Sequence, residues 1–247
     1  MNIRDYLDST YLKTNSQAGL SENENEAVAK DFIQEAIDEG FKLIMIRPDR
    51  VALAKKMIKD AHSKVLVGTV IDFPAGTSSV NSKLDEASQC IQNGADELDF
   101  VCNYEAFKAG EVELVKEEVL KCTQLGLAND KAVKWIIEAA ALNDAQIAEL
   151  TELIKNVVLS NFKAAQYNAV FVKSSTGFYQ TENNLPNGAT LSSISIMLDK
   201  SGPLPVKAAG GVRTYEEALK MIELGVKRIG TSGAKAIANG EETSSQY

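Results

Sequence analysis

Eight short apolar runs recur along the chain, each separated from the next by a segment with helical spacing, and this alternation limits the fold more than any other feature. The runs cover residues 6–9, 42–46, 65–71, 97–101, 133–138, 169–173, 205–209 and 228–231. Runs of this length bounded by turn residues read as strands. Nearly continuous apolar character implies strands covered on both faces, as in a parallel sheet. The intervening helices have recognisable ends. Ser21 and Glu24 form a capping box ahead of a stripe through Val28, Phe32 and Ala36, and Gly40 stops the helix. Val80, Leu84, Ala87 and Ile91 line a second helix, ended by Gly94. Leu114, Val115, Val119 and Cys122 line a third, which Gly126 is expected to end. Asn143 caps Ile147, Leu150 and Ile154, while Thr214 and Glu217 open a helix carrying Ala218, Met221 and Ile222 that closes at Gly225. Eight β–α units in a chain of this length predict a single-domain α/β fold, a (β/α)8 TIM barrel over residues 1–239. An open doubly wound sheet is the alternative, and residues 240–247 form a polar tail.

Composition removes several functional classes. The net charge is −8 with no cluster of lysine and arginine, which argues against nucleic acid as a partner. No apolar run reaches the ~18 residues of a membrane span, and the first residues lack the apolar centre of a signal peptide, so a cytoplasmic protein without a membrane partner is expected. Cys90, Cys102 and Cys122 have neither disulfide nor metal-ligand spacing and read as small core residues. His62 is the sole histidine and stands in a polar connecting segment, which removes zinc sites built on two or three histidines. Chemistry in this chain falls to lysine, carboxylate, hydroxyl and backbone groups, with no metal and no cofactor expected.

Polar residues interrupt the apolar strands near their C-terminal ends: Asp72, Asp99, Glu138, Lys173 and Lys207. That end of a barrel is where catalytic groups gather. Lys173 closes the run 169–173, where a lysine either carries its ammonium past the strand end into solvent or acts as a desolvated nucleophile. Lys207 repeats the oddity on the next strand, and neighbouring strands lie ~4.8 Å apart. Two close ammonium groups in a partly dry site repel, so one is driven towards the neutral amine. An ordinary lysine is amine in only about 1 molecule in 2,500 at pH 7, whereas a pKa near 7 would make it about half amine. The pair with an adjacent carboxylate therefore points to a Schiff-base site, against the simpler alternative of ion pairs with Asp99 or Glu138.

Two glycine-containing loops follow. Gly210-Gly211-Val212-Arg213-Thr214 opens one helix, and Gly230-Thr231-Ser232-Gly233 opens the last. Glycines let backbone N–H groups approach an anion, and helix N-termini favour negative charge. The last two loops of a barrel commonly hold a phosphate.

Taken together these segments resemble class I deoxyribose-phosphate aldolase nearly end to end. The matching segments are Asp8-Ser9-Thr10-Tyr11-Leu12-Lys13, Phe73-Pro74-Ala75-Gly76, Gly94 to Asp99, Ile136-Ile137-Glu138, Val172 to Gly177, Lys207 to Thr214 and Arg228 to Ser232. The resemblance implies reversible cleavage of 2-deoxy-D-ribose 5-phosphate to acetaldehyde and D-glyceraldehyde 3-phosphate, a lyase reaction in deoxyribose phosphate catabolism. It implies Lys173 as the Schiff-base lysine, Lys207 as the lysine that perturbs it and Asp99 as the proton-handling carboxylate, with Asp8 and Thr176 assisting. Gly177, Gly210, Gly211, Arg213, Gly230 and Ser232 would bind the substrate phosphate. Some members carry a mobile tail ending in tyrosine that assists proton transfer, a role open to Tyr247, and the family implies a homo-oligomer, with a homodimer favoured. Departures are Met45 in place of a cysteine, Arg47 before Pro48, Gly233 where a second serine is usual, and a longer segment 178–186. A barrel aldolase with another donor and a noncatalytic sugar-phosphate-binding barrel are the competing readings.

Overall fold

The computed structural model describes residues 1–182 and 185–241. Eight parallel strands close into a barrel in sequence order, with β8 returning to β1. They are β1 (Leu7–Tyr11), β2 (Leu43–Ile46), β3 (Leu66–Ile71), β4 (Glu97–Val101), β5 (Ala132–Ile136), β6 (Val170–Lys173), β7 (Val206–Ala209) and β8 (Arg228–Thr231). Among the described residues ten α-helices accompany them: α1 (Asn15–Ala18), α2 (Glu22–Glu39), α3 (Val51–Asp60), α4 (Val80–Gln92), α5 (Tyr104–Lys108), α6 (Val112–Ala128), α7 (Asp144–Asn161), α8 (Leu191–Lys200), α9 (Tyr215–Leu224) and α10 (Ala234–Asn239). The open-sheet alternative is excluded by the β1–β8 pairing. No described helix is long and apolar enough to cross a membrane.

The capping boxes at Ser21 and Thr214 and the cap at Asn143 form as the spacing predicts, each side chain accepting the N–H three residues on. Such caps contribute about 1 kcal/mol apiece. Gly126 departs from expectation. It does not end α6, which continues to Ala128, but lies buried within it, where a Cβ would come 2.3 Å from Val133 Cγ2. The glycine is a notch that brings α6 onto β5. Leu114, placed on the apolar stripe from sequence, is 39% exposed.

Strand residues alternate between two environments, as a period of two requires. One set, including Ile44, Val67, Leu98, Trp135, Val172 and Ile229, packs into the main core shared with the helices. The other set fills the barrel lumen. Leu43, Met45 and Val70 form a separate apolar cluster with Leu12, against which Leu66, Phe73 and Phe178 pack. Met45 lies over Gly68, where a Cβ would stand 2.7 Å from its Cε. The remaining strands, β4 to β8 and β1, fill their share of the lumen with charged side chains.

Candidate active site

Parity on each strand explains how the charges meet. Glu97 and Asp99 flank Leu98 on β4, Lys134 lies between Val133 and Trp135 on β5, and the register pairs Asp99 with Lys134 and Lys173 with Lys207. Lys207 in turn pairs with Arg228, and Asp8 with Gly230. Lys173 donates to Asp99 Oδ2 at 2.9 Å, and Lys207 donates to the same oxygen at 3.0 Å. Lys134 donates to the other oxygen, Oδ1, at 2.6 Å. Lys207 Nζ also lies 2.6 Å from Asp8 Oδ2. The lysines expected from sequence thus share one carboxylate, with Asp8 completing the group.

Burial and neighbouring charge set the protonation of this cluster. Burial would push the Asp99 carboxyl up, but Lys134, Lys173 and Lys207 outweigh it and hold Asp99 well below the usual carboxylate range. Asp8 is lowered likewise, burial being overcome by Arg228 and Lys207. For Lys134, burial is outweighed by Asp99 and Glu97, so its pKa rises. Lys173 goes the other way. Burial lowers it, Asp99 opposes, and Lys207 lowers it further, to about 8. At pH 7 about a tenth of a group with that pKa is neutral, roughly 230 times the fraction for an ordinary lysine. Lys173 as a whole is 3% exposed, so a small carbonyl compound has only a narrow approach.

Gly230 makes room for this arrangement. A Cβ there would stand 3.2 Å from Lys207 Cε and 3.3 Å from Ala209 Cβ, so a larger residue would push the lysine from its carboxylates.

Thr176 belongs to a different set. Its Oγ1 donates to Glu138 Oε2 in a short hydrogen bond, its N–H donates to the same oxygen, and Oγ1 accepts from Phe178 N at 3.0 Å. Glu138, at φ 53°, is held in the left-handed region, and burial raises its carboxyl. Tyr104 stands nearby with its hydroxyl pushed up to about 12 by burial and by Glu138. The long segment after Gly177 crosses towards this side, where Tyr179 meets Tyr104 edge to face. Asp72, noted from sequence at the end of β3, turns away. It accepts from the N–H and hydroxyl of Ser78 and lies 3.5 Å from Lys83 Nζ.

The glycine loops assemble beside Lys173. Gly177, Gly210 and Gly211 all have φ near +80°, and the Gly210 and Gly188 backbones touch so closely that a Cβ at Gly188 would lie 2.2 Å from Gly210 O. Asn187 Nδ2 donates to Gly177 O at 3.1 Å, and Ala189 N donates to Gly210 O at 2.8 Å. The loop that opens α9 is partly engaged by the protein itself. The N–H groups of Arg213 and Thr214 are already bound by Glu217 Oε2, at 2.7 and 3.1 Å. Arg213 itself is exposed, and Gly230 and Ser232 stand at the adjoining end of β8. Tyr247 lies outside the described residues.

Three members of the charged lumen were not singled out from sequence: Glu97, Lys134 and Arg228. Arg228 donates from Nε to Asp8 Oδ1 at 2.7 Å and from both terminal nitrogens to Glu97 at 3.1 Å, and Glu97 Oε2 lies 2.6 Å from Lys134. The available signal was parity, since each stands two residues from, or in register with, a lumen residue. Beneath them, at the N-terminal end of the barrel, a cleft of about 1000 Å³ is lined by Glu97, Arg228, Lys42, Lys131 and Lys227 among others. Among the described residues no group of three or more histidine, cysteine or acidic side chains is arranged to hold a metal ion.

Comparison with known proteins agrees with this architecture. Residues 14–239 match the family model of the DeoC/LacD family aldolase. A deoxyribose-phosphate aldolase of Thermococcus gammatolerans is 37% identical over 244 residues, covering 97% of this chain and 96% of that one. The solved structure of QR15, an aldolase, superposes with a TM-score of 0.80 at 31% identity, covering 97% and 95% of the two chains. A tetrameric deoxyribose phosphate aldolase from Aeropyrum pernix superposes with a TM-score of 0.77 at 26% identity, covering 96% and 89%. With the family model matched over residues 14–239 and a relative 37% identical across 97% of the chain, the chain belongs to the DeoC/LacD family of aldolases.

Proposed function

We propose that this aldolase cleaves 2-deoxy-D-ribose 5-phosphate reversibly to acetaldehyde and D-glyceraldehyde 3-phosphate through a Schiff base on Lys173. The observation that carries the reading is the sharing of Asp99 Oδ2 by two lysine nitrogens, one of them lowered to about 8. Neutral Lys173 adds to C1 of the open-chain sugar, and loss of water gives the iminium. A base relayed through Asp99 and Lys207 takes the C3 hydroxyl proton, the C2–C3 bond breaks, and its electron pair neutralises the iminium as an enamine. D-Glyceraldehyde 3-phosphate leaves, C2 of the enamine takes a proton, and water releases acetaldehyde and regenerates the amine. Asp99 suits the relay because one oxygen lies within 3.0 Å of both Lys173 and Lys207 while Lys134 anchors the other. Asp8 holds Lys207, and Thr176, tied to Glu138, supports the loop that leaves Lys173. Gly177, Gly210, Gly211, Arg213, Gly230 and Ser232 form the substrate phosphate site. The iminium is the electron sink, so the scheme assigns no role to a metal or cofactor.

The protein works in the cytoplasm in deoxyribose phosphate catabolism, as a homo-oligomer with a homodimer favoured. Light scattering separates that dimer from the tetramer reported for the Aeropyrum pernix enzyme. The chemistry is tested by incubating the protein with 2-deoxyribose 5-phosphate and borohydride. Wild type should gain mass on the peptide carrying Lys173 and Lys173→Leu should neither gain it nor turn over the sugar. An adduct elsewhere, or equal turnover by the variant, would sink the mechanism.

A further inference from the structure

The lumen contacts close into a ring. Lys207 lies 2.6 Å from Asp8, Asp8 lies 2.6 Å from Arg228, and Arg228 grips Glu97 with two bonds of 3.1 Å. Glu97 lies 2.6 Å from Lys134, Lys134 lies 2.6 Å from Asp99, and Asp99 returns to Lys207 at 3.0 Å. Cations and carboxylates alternate all the way round, three of each, so the ring sums to zero. Lys173 hangs outside it, attached through Asp99 alone among these groups. Counted with the ring it is a fourth cation against three carboxylates; Glu138, bound to Thr176, acts on it only from outside the ring.

A net charge in a nearly dry lumen is expensive, and the least costly way to remove it is to drop one proton. Arg228 cannot release one under ordinary conditions. Lys134 lies between Glu97 and Asp99, and Lys207 lies between Asp8 and Asp99. Lys173 has one carboxylate, which it shares. We propose that Glu97 and Arg228 are positioning residues for the Schiff-base chemistry: by completing a neutral ring at the far end of the lumen, they leave Lys173 as the surplus cation and so set how much free amine it presents. The inference rests on Lys173 being the nucleophile. The direction of the Lys173 shift agrees, as does the opposite direction at Lys134. Lys207 therefore does not act alone; it transmits the charge balance of the whole ring.

The charged groups around Lys173 are Asp99 from β4, Lys134 from β5, Glu138 two residues beyond β5, and Lys207 from β7. Neither Glu97 nor Arg228 touches Lys173. Both border the N-terminal cleft, each 5% exposed, at the opposite end of the lumen from the substrate loops. Their influence is through charge. At an effective dielectric constant of about 20, a unit charge about 10 Å away moves a titration by about one pH unit.

Opposite substitutions should move Lys173 in opposite directions. Glu97→Gln removes a negative charge, so the pKa of Lys173 should fall by about one unit. Arg228→Met removes a positive charge, so it should rise by about the same amount. In the double variant the two changes cancel, which should return it to within a few tenths of the wild-type value. Two readouts separate this idea from the reaction it rests on. The first is the acidic limb of kcat/KM for 2-deoxyribose 5-phosphate, which follows the free enzyme. The second is the pH dependence of acetylation of Lys173 by acetic anhydride, read by mass spectrometry, which reports the amine with or without turnover. Absence of turnover with opposite shifts in labelling would sink the substrate assignment and support the ring. Folded single variants whose Lys173 moves in the same direction, or not at all, would overturn the ring. Thermal melts check folding, and Lys134→Met makes the same charge change as Arg228→Met should that variant not fold.

Discussion

Lys173→Met should give a protein that is inactive and more stable than wild type. In the native state the Lys173 pKa is lowered to about 8 from an ordinary value of 10.5, and the side chain is 4% exposed. Folding a chain that carries this proton at pH 7 therefore costs about 3 kcal/mol relative to a neutral side chain of similar shape. Methionine removes that cost. It also gives up the contact of the amine with Asp99, worth about 1 kcal/mol, so the net gain is about 2 kcal/mol. For a domain of this size that raises Tm by about 4–8 °C. The sign with pH follows from linkage. A lysine whose folded pKa is lowered binds fewer protons folded than unfolded, so its penalty is full below pH 8 and fades as pH rises towards 10.5. The advantage of methionine should shrink accordingly, by about 2 kcal/mol between pH 7 and pH 9.5. Urea unfolding of both proteins at the two pH values measures it. If the variant is no more stable at pH 7, or its advantage is the same at pH 9.5, then the amine is not strained by its surroundings and the reasoning from burial fails.

Two further outcomes test other parts of the molecule. Lys83 is fully buried and donates to Gly76 O, Val101 O and Glu118 Oε2, so Lys83→Met leaves a buried carboxylate without its cation. A loss of about 3–5 kcal/mol in urea unfolding is expected, most of it recovered when Glu118 is also made apolar. Gly188→Ala places a methyl against Gly210 O and should force the phosphate loops apart, raising KM for the phosphorylated sugar at least about tenfold with a smaller fall in Tm. An unchanged KM would place the phosphate elsewhere.

How much of this could be read from residues alone depended on what surrounded each charge. Lys173 and Lys207 stood out because each interrupts an apolar run, and the register then places them side by side. Glu97 and Arg228 open their strands, a position where charges ordinarily meet solvent, so only parity with Asp99 and register with Lys207 could mark them as lumen residues. Lys134 stood inside the run 133–138, but a run taken as continuously apolar hides which residues face the lumen. Counting alternate positions from Asp99 across the β4–β5 register would have found it. The strand at 6–9 proved to be Leu7–Tyr11, because Thr10, polar yet buried, and Tyr11 continue it past Ser9. Gly126 was misread for a different reason. A glycine near the end of a helical pattern resembles a stop, and only the distance to Val133 reveals that it is a packing contact. The α9 N-terminus shows the limit of reasoning from dipoles. Glu217 was recognised as part of a capping box, yet the same carboxylate occupies the N–H groups expected to face an anion.

The alternating ring also bears on how this lumen can vary. Any single exchange between a charged and a neutral residue among its six members leaves the ring itself with a net charge of one in a buried space. Two compensating exchanges restore zero. Sequence drift and directed evolution therefore meet a ridge at these positions that one-step mutation crosses poorly. Libraries that vary Glu97 with Arg228, or Asp99 with Lys134, as linked pairs should contain far more folded members than libraries that vary each position alone.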